Sequence, residues 1–110
     1  MFSKGQEDKS NYKEIAEGIF MRPLVYGDQT LLTEIRFSQG SVIDFHEHPH
    51  EQTGYLVKGK FQLTVEGREY QVEPGDSWCI KGGKSHKAEF QEESLAIEVF
   101  SPPREEYMAD

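Results

Sequence analysis

The chain has 110 residues, with 12 Lys and Arg against 20 Asp and Glu and a formal net charge of −8; this is the length of one domain, and the acidic balance excludes a surface built to track phosphates, hence a nucleic-acid partner. A single cysteine, Cys79, leaves no internal disulfide to form, and no apolar run approaches the length of a signal-peptide core or a membrane span, so a cytoplasmic protein with no membrane partner is expected. An acidic protein repels anions at long range, so a site for an anionic ligand must carry its own local positive charge.

Residues 1–12 are polar and are expected to form a flexible or extended N-terminal arm, followed by a single domain over 13–110. From there the chain breaks at nearly regular intervals, at Gly27-Asp28, Gln39-Gly40, Gly59-Lys60, Glu66-Gly67, Pro74-Gly75-Asp76 and Gly82-Gly83. Between the breaks lie short runs of β-forming residues over 19–26, 31–37, 41–45, 53–58, 61–66, 69–72, 77–80, 87–90 and 95–100. Many short strands at this spacing predict an all-β sandwich or barrel, with one helical turn near 104–108 as the only helix signal. Phe61, Leu63 and Val65 alternate with Gln62 and Thr64, as in a strand with one wet face. In the last run Leu95, Ile97 and Val99 share one face while Ala96, Glu98 and Phe100 share the other. Apolar residues on both faces imply that both are covered, the outer one by the N-terminal arm or by a second copy of the chain in a homodimer.

Chemistry concentrates in the histidines. Of four in the chain, three fall within His46-Glu47-His48-Pro49-His50, and the fourth, His86, follows Gly82-Gly83. If this segment is a strand, His46 and His48 point to one face and Glu47 away from it. Two imidazoles side by side, joined by a third from a neighbouring strand, suit a first-row divalent ion. His50 is left for the rim of the pocket or for solvent. For an oxygen donor, Glu51 is the more familiar residue type, but its parity relative to Gly59 turns it outward and turns Gln52 inward. An amide in that place leaves the ion its full double charge, which provides the local attraction for anions that the acidic surface lacks.

The segment GSVIDFHEHPHEQTGYLVKG, Gly40 to Gly59, resembles the first cupin motif, with Gln52 at the usual acidic position. The segment GDSWCIKGGKSHKAEF, Gly75 to Phe90, resembles the second, with Lys81 where proline is usual and Phe90 where asparagine is usual. The resemblance covers about residues 18–104. It implies a cupin double-stranded β-helix, a jelly-roll barrel, holding one divalent transition metal on His46, His48, Gln52 and His86. Nickel and zinc come first among the candidates, with manganese, iron, cobalt and copper also accepted by such a ligand set.

The C-terminal run Glu98-Val99-Phe100-Ser101-Pro102-Pro103-Arg104-Glu105-Glu106-Tyr107 narrows the resemblance to the small pectin-degradation cupins known as KdgF, whose corresponding pattern is D-V-F-S-P-x-R-E-D-F. That implies a metal-dependent enzyme of lyase or isomerase type that opens the ring of 4,5-unsaturated monouronates, so the expected partner is a small anionic sugar. Glu98, standing where the pattern has Asp, is then the acid–base group, Phe100 an apolar wall for the sugar ring and Arg104 the clamp on the substrate carboxylate. Read without the resemblance, Glu98 and Arg104 are equally surface charges and Phe100 a core residue. Cupin folds also serve redox dioxygenases and non-catalytic sugar-acid binding proteins, and these are the alternatives.

Overall fold

A computed structural model describes residues 2, 4 and 11–108. Strands form where the sequence alternates or where β-branched and aromatic residues cluster, and ten are present among the described residues: β1 (Lys13–Ala16), β2 (Ile19–Tyr26), β3 (Leu31–Phe37), β4 (Val42–His46), β5 (Glu51–Lys58), β6 (Phe61–Val65), β7 (Arg68–Val72), β8 (Ser77–Ile80), β9 (His86–Phe90) and β10 (Ser94–Ser101), followed by one helical turn, α1 (Glu105–Met108). They build two antiparallel sheets, a six-stranded one in the order β1-β2-β3-β10-β5-β8 and a four-stranded one in the order β4-β9-β6-β7. The architecture is the expected all-β jelly roll. No helix among the described residues is long and apolar enough to cross a membrane.

Nine of the strands coincide with the predicted runs to within two residues, and β1 is the addition. Its sequence, KEIA, shows no alternation, and three of its four residues are exposed. It forms because Gly18, at φ +76°, allows the tight reversal that folds it back on β2. Most of the expected N-terminal arm lies outside the described residues. Tyr12, at its end, lies on the outer face of the six-stranded sheet: its hydroxyl donates to the Glu34 carboxylate and accepts from Arg36 Nε. The guanidinium carbons of Arg22 and Arg36 lie 5.3 and 5.5 Å from the centre of its ring. Tyr12 thus covers part of the outer face, while Phe20, Tyr55 and Val57 are exposed on the outside of the barrel.

Between the sheets the inward residues form one core. Phe37 and Phe90 stack at 3.8 Å between ring centres, Phe61 stacks on Phe90 at 4.7 Å, and Trp78 meets Phe61 edge-on at 5.2 Å. On β10 burial follows the predicted parity, with Ala96, Glu98 and Phe100 buried and Leu95, Ile97 and Val99 half-buried on the other face. Between the sheets lies a cavity of about 420 Å³, lined by core residues such as Phe37, Phe61 and Phe90 and by His46, Gln52, His86 and Glu98.

Candidate metal centre

Three imidazoles converge at that cavity. The ring nitrogens of His46, His48 and His86 that can bind an ion all lie within 4.8 Å of one another. His46 ends β4 and faces His86 at the start of β9, with 4.1 Å between ring centres. Between Ile43 and His46 the pairing with β9 slips by one residue. This bulge turns His46 into the cavity although its odd spacing from the inward Ile43 would put it outside in a regular strand. His48 is not on a strand, because β4 stops at His46. Strand alternation therefore does not align the two rings as the sequence suggests. A loop does: Gly83 N–H donates to the His48 carbonyl at 2.8 Å, and a Cβ on Gly82 would stand 2.2 Å from the Pro49 carbonyl oxygen. The glycine turn before β9 and the histidine loop after β4 are thus pressed together, and His86 arrives beside His48, with 5.1 Å between ring centres.

The chain fixes which nitrogen of each ring faces the cavity. Nδ1 of His46 donates to the Asp44 carbonyl at 2.9 Å, Nδ1 of His48 to the His50 carbonyl at 3.0 Å, and Nδ1 of His86 to the Lys84 carbonyl at 2.8 Å. A carbonyl can only accept, so each Nδ1 carries the proton and each Nε2 presents a lone pair. Burial, reinforced by the positive charge of Arg104, lowers the pKa of His48 to about 4, and burial chiefly lowers that of His86. Both rings are therefore neutral and ready to donate at neutral pH. His50, half-buried, serves through its carbonyl; its own Nδ1 is buried without a partner among the described residues.

Gln52 projects inward from β5 and is buried, while Glu51 is exposed, as the alternation argument requires. Its Oε1 lies 3.1 Å from His48 Nε2. Its Nε2 donates to Oε2 of Glu98, which fixes the amide's orientation. Two acceptors, an imidazole lone pair and an amide oxygen, thus face each other at contact distance with no proton between them. Nε2 of His86, also buried, has no hydrogen-bond partner among the described residues. A cation satisfies all three acceptors, so the residues present fit a metal ion.

Beyond the imidazoles the cavity wall carries Glu98, Phe100, Arg104 and Tyr107. Glu98 is buried, and burial pushes its pKa up to about 7, against the opposing hydrogen bonds from Gln52 and Trp78 and the charge of Arg104. Arg104 donates through Nε to Glu106 at 2.8 Å, and its guanidinium lies 4.2 Å from the Tyr107 ring centre and 5.2 Å from that of Phe100. Arg104 thus pairs with an exposed carboxylate, yet its own side chain is only 14% exposed and lines the cavity. Trp78 and Tyr107, to which neither the motifs nor the histidine pattern draws notice, also line it. The signals were a lone tryptophan on the inward parity of β8 and a tyrosine three residues after Arg104.

An antiparallel jelly roll with a cluster of inward histidines defines a cupin. The Cupin domain family matches residues 33–101, and the chain belongs to that family. The pectin degradation protein KdgF of Dickeya dadantii is 25% identical over 104 residues, covering 93% of this chain and 94% of that protein. The solved structure of KdgF from a Halomonas species superposes with a TM-score of 0.88 at 29% identity, covering 96% of each chain. L-ectoine synthase of Rhodococcus erythropolis is 31% identical over 72 residues, 64% of this chain and 54% of that protein.

Proposed function

We propose that the chain is a metal-dependent enzyme that opens the ring of 4,5-unsaturated monouronates, the sugar acids released when pectin or alginate is cleaved. The observation that carries this reading is the meeting, in one cavity, of three oriented imidazoles, the Gln52 amide, a buried carboxyl and a half-freed guanidinium. Similarity to KdgF over more than nine-tenths of both chains supports the choice of substrate.

Arg104 binds the substrate carboxylate. Its Nε is held by Glu106, so the two terminal amino groups, which have no partner among the described residues, point as a fork suited to two parallel hydrogen bonds. Phe100, supporting the guanidinium from below, gives the sugar ring an apolar wall. The ring of an unsaturated uronate opens by isomerisation: a hydroxyl loses its proton, the ring C–O bond breaks onto the enol oxygen, and a proton is delivered to the enol carbon. One carboxyl can do both transfers, and Glu98, with its pKa near neutrality in the metal-free protein, is the group placed to do so. His46, His48, Gln52 and His86 would hold a divalent ion, nickel or zinc by the imidazole-rich donor set, and when bound it would supply fixed positive charge for an oxygen on which negative charge develops.

Incubating the nickel- or zinc-loaded protein with unsaturated galacturonate tests the reading. Loss of the sugar's ultraviolet absorbance should accelerate, and Glu98→Gln or Arg104→Ala should lower the rate by about a hundredfold or more. Unchanged decay at saturating metal rejects it, and oxygen uptake with a phenolic or diketone substrate would put the redox-dioxygenase alternative in its place.

A further inference from the structure

Glu98, Gly54 and Trp78 are direct cross-strand neighbours. Glu98 on β10 pairs with Gly54 on β5, and Gly54 pairs with Trp78 on β8. In a regular sheet the two outer members of such a row stand about 10 Å apart at their backbones, with the middle side chain as a wall between them. Here the middle residue has no side chain. A Cβ on Gly54 would lie 2.3 Å from two carbons of the Trp78 indole and 2.6 Å from its Nε1. The indole therefore lies across the glycine, in the space a side chain would fill, and its Nε1–H reaches Oε2 of Glu98 at 3.4 Å. Gly54 is not among the glycines with positive φ, so no backbone requirement explains it. Its use is the room it leaves.

We propose that Trp78, reaching over Gly54, is a positioning residue for Glu98: with Gln52 it occupies Oε2, and so leaves Oε1 as the oxygen that exchanges a proton with the substrate. Oε2 accepts from the Gln52 amide on one side and from the indole on the other. A carboxyl held by two donors on one oxygen is restrained from rotating, so its second oxygen keeps one bearing relative to Arg104 and the imidazoles. Phe61 meets the indole edge-on and supports it from the core side. The inference rests on the proposed role of Glu98, so its test contains one arm that needs no turnover.

With zinc-loaded full-length protein and unsaturated galacturonate, Trp78→Phe keeps a ring and removes the N–H; kcat should fall about tenfold, with KM within about twofold and zinc content unchanged. Gly54→Ala should give a similar fall in kcat and add little in the Trp78→Phe background, since both changes break one contact. A raised KM at unchanged kcat, or losses that simply add, overturns the proposal. The second arm uses the fact that Trp78 is the chain's one tryptophan. Its single indole N–H resonance in a nitrogen–proton correlation spectrum of the metal-free protein should move on Glu98→Gln. An unmoved resonance overturns the contact whatever the substrate proves to be. A moved resonance in a protein that leaves the sugar intact upholds the contact and removes only the substrate assignment.

Discussion

Burial works against Glu98 as a carboxylate and in its favour as a neutral carboxyl. Its pKa in the folded, metal-free protein is raised from 4.5 to about 7, so the folded state holds the proton more tightly than the unfolded chain does. Stability from this group is complete below pH 4.5 and is lost as pH rises toward 7, about 3 kcal/mol in all. His48 has the opposite sign: its pKa is lowered from 6.5 to about 4, so its protonation weakens the fold as pH falls through that window. Comparison with Glu98→Gln cancels the histidine contribution. In urea unfolding of metal-free protein, the wild type should lose stability relative to Glu98→Gln between pH 4.5 and 7, with no further change above. A difference that does not vary with pH would show that Glu98 is solvated. The inward direction of Glu98 could be read from its parity with Ala96 and Phe100. Its contact with Trp78 could not, because alternation assigns a residue to a face and says nothing about which residue two strands away shares that face.

At the level of elements, most strands are visible in the sequence because turn residues bracket them and side-chain alternation matches their burial. What escapes is everything decided by a neighbouring strand or loop. The slip between Ile43 and His46 exists only in the pairing of β4 with β9, and β1 depends on β2 for its ladder. His48 owes its place to the packing of Gly82 on Pro49, two segments more than thirty residues apart in the chain. That packing predicts an effect on the metal. Gly82→Ala should cost about 2 kcal/mol of stability and weaken metal retention, because the added carbon forces the His48 loop away from the turn. Gly67→Ala is the control: its φ of +82° strains any added side chain, but nothing lies within 4 Å, so it should cost about 1 kcal/mol and leave metal affinity unchanged. Urea midpoints and competition with a chromogenic chelator measure both quantities. Equal metal affinity in the two variants would mean that the loop contact does not set the site.

For the molecule as a whole, the site bridges the two sheets, with His46 and His86 on the four-stranded sheet and Gln52 and Glu98 on the six-stranded one. An ion bound between them ties the sheets together and stabilises only the folded state. At a free concentration a hundredfold above its dissociation constant it adds about 2.7 kcal/mol, which for a domain of this size raises Tm by about 10 °C. Thermal unfolding of nickel-loaded and chelated samples should differ by that order, and identical melts would show that no ion is held there. The acidic surface, −8 overall, would oppose the approach of the proposed anionic sugar, so under that proposal Arg104 and an ion at the imidazoles would provide the attraction at short range.

The imidazoles are aimed by main-chain oxygens of Asp44, His50 and Lys84, each within two positions of the ring it orients. A point mutation can delete a side chain but not a peptide oxygen, so substitutions that reshape the cavity leave these three bearings largely in place. Gln52 alone depends on a replaceable neighbour, Glu98. Redesign of the cavity can therefore change its non-core lining without turning the imidazoles, and should change position 98 only together with position 52.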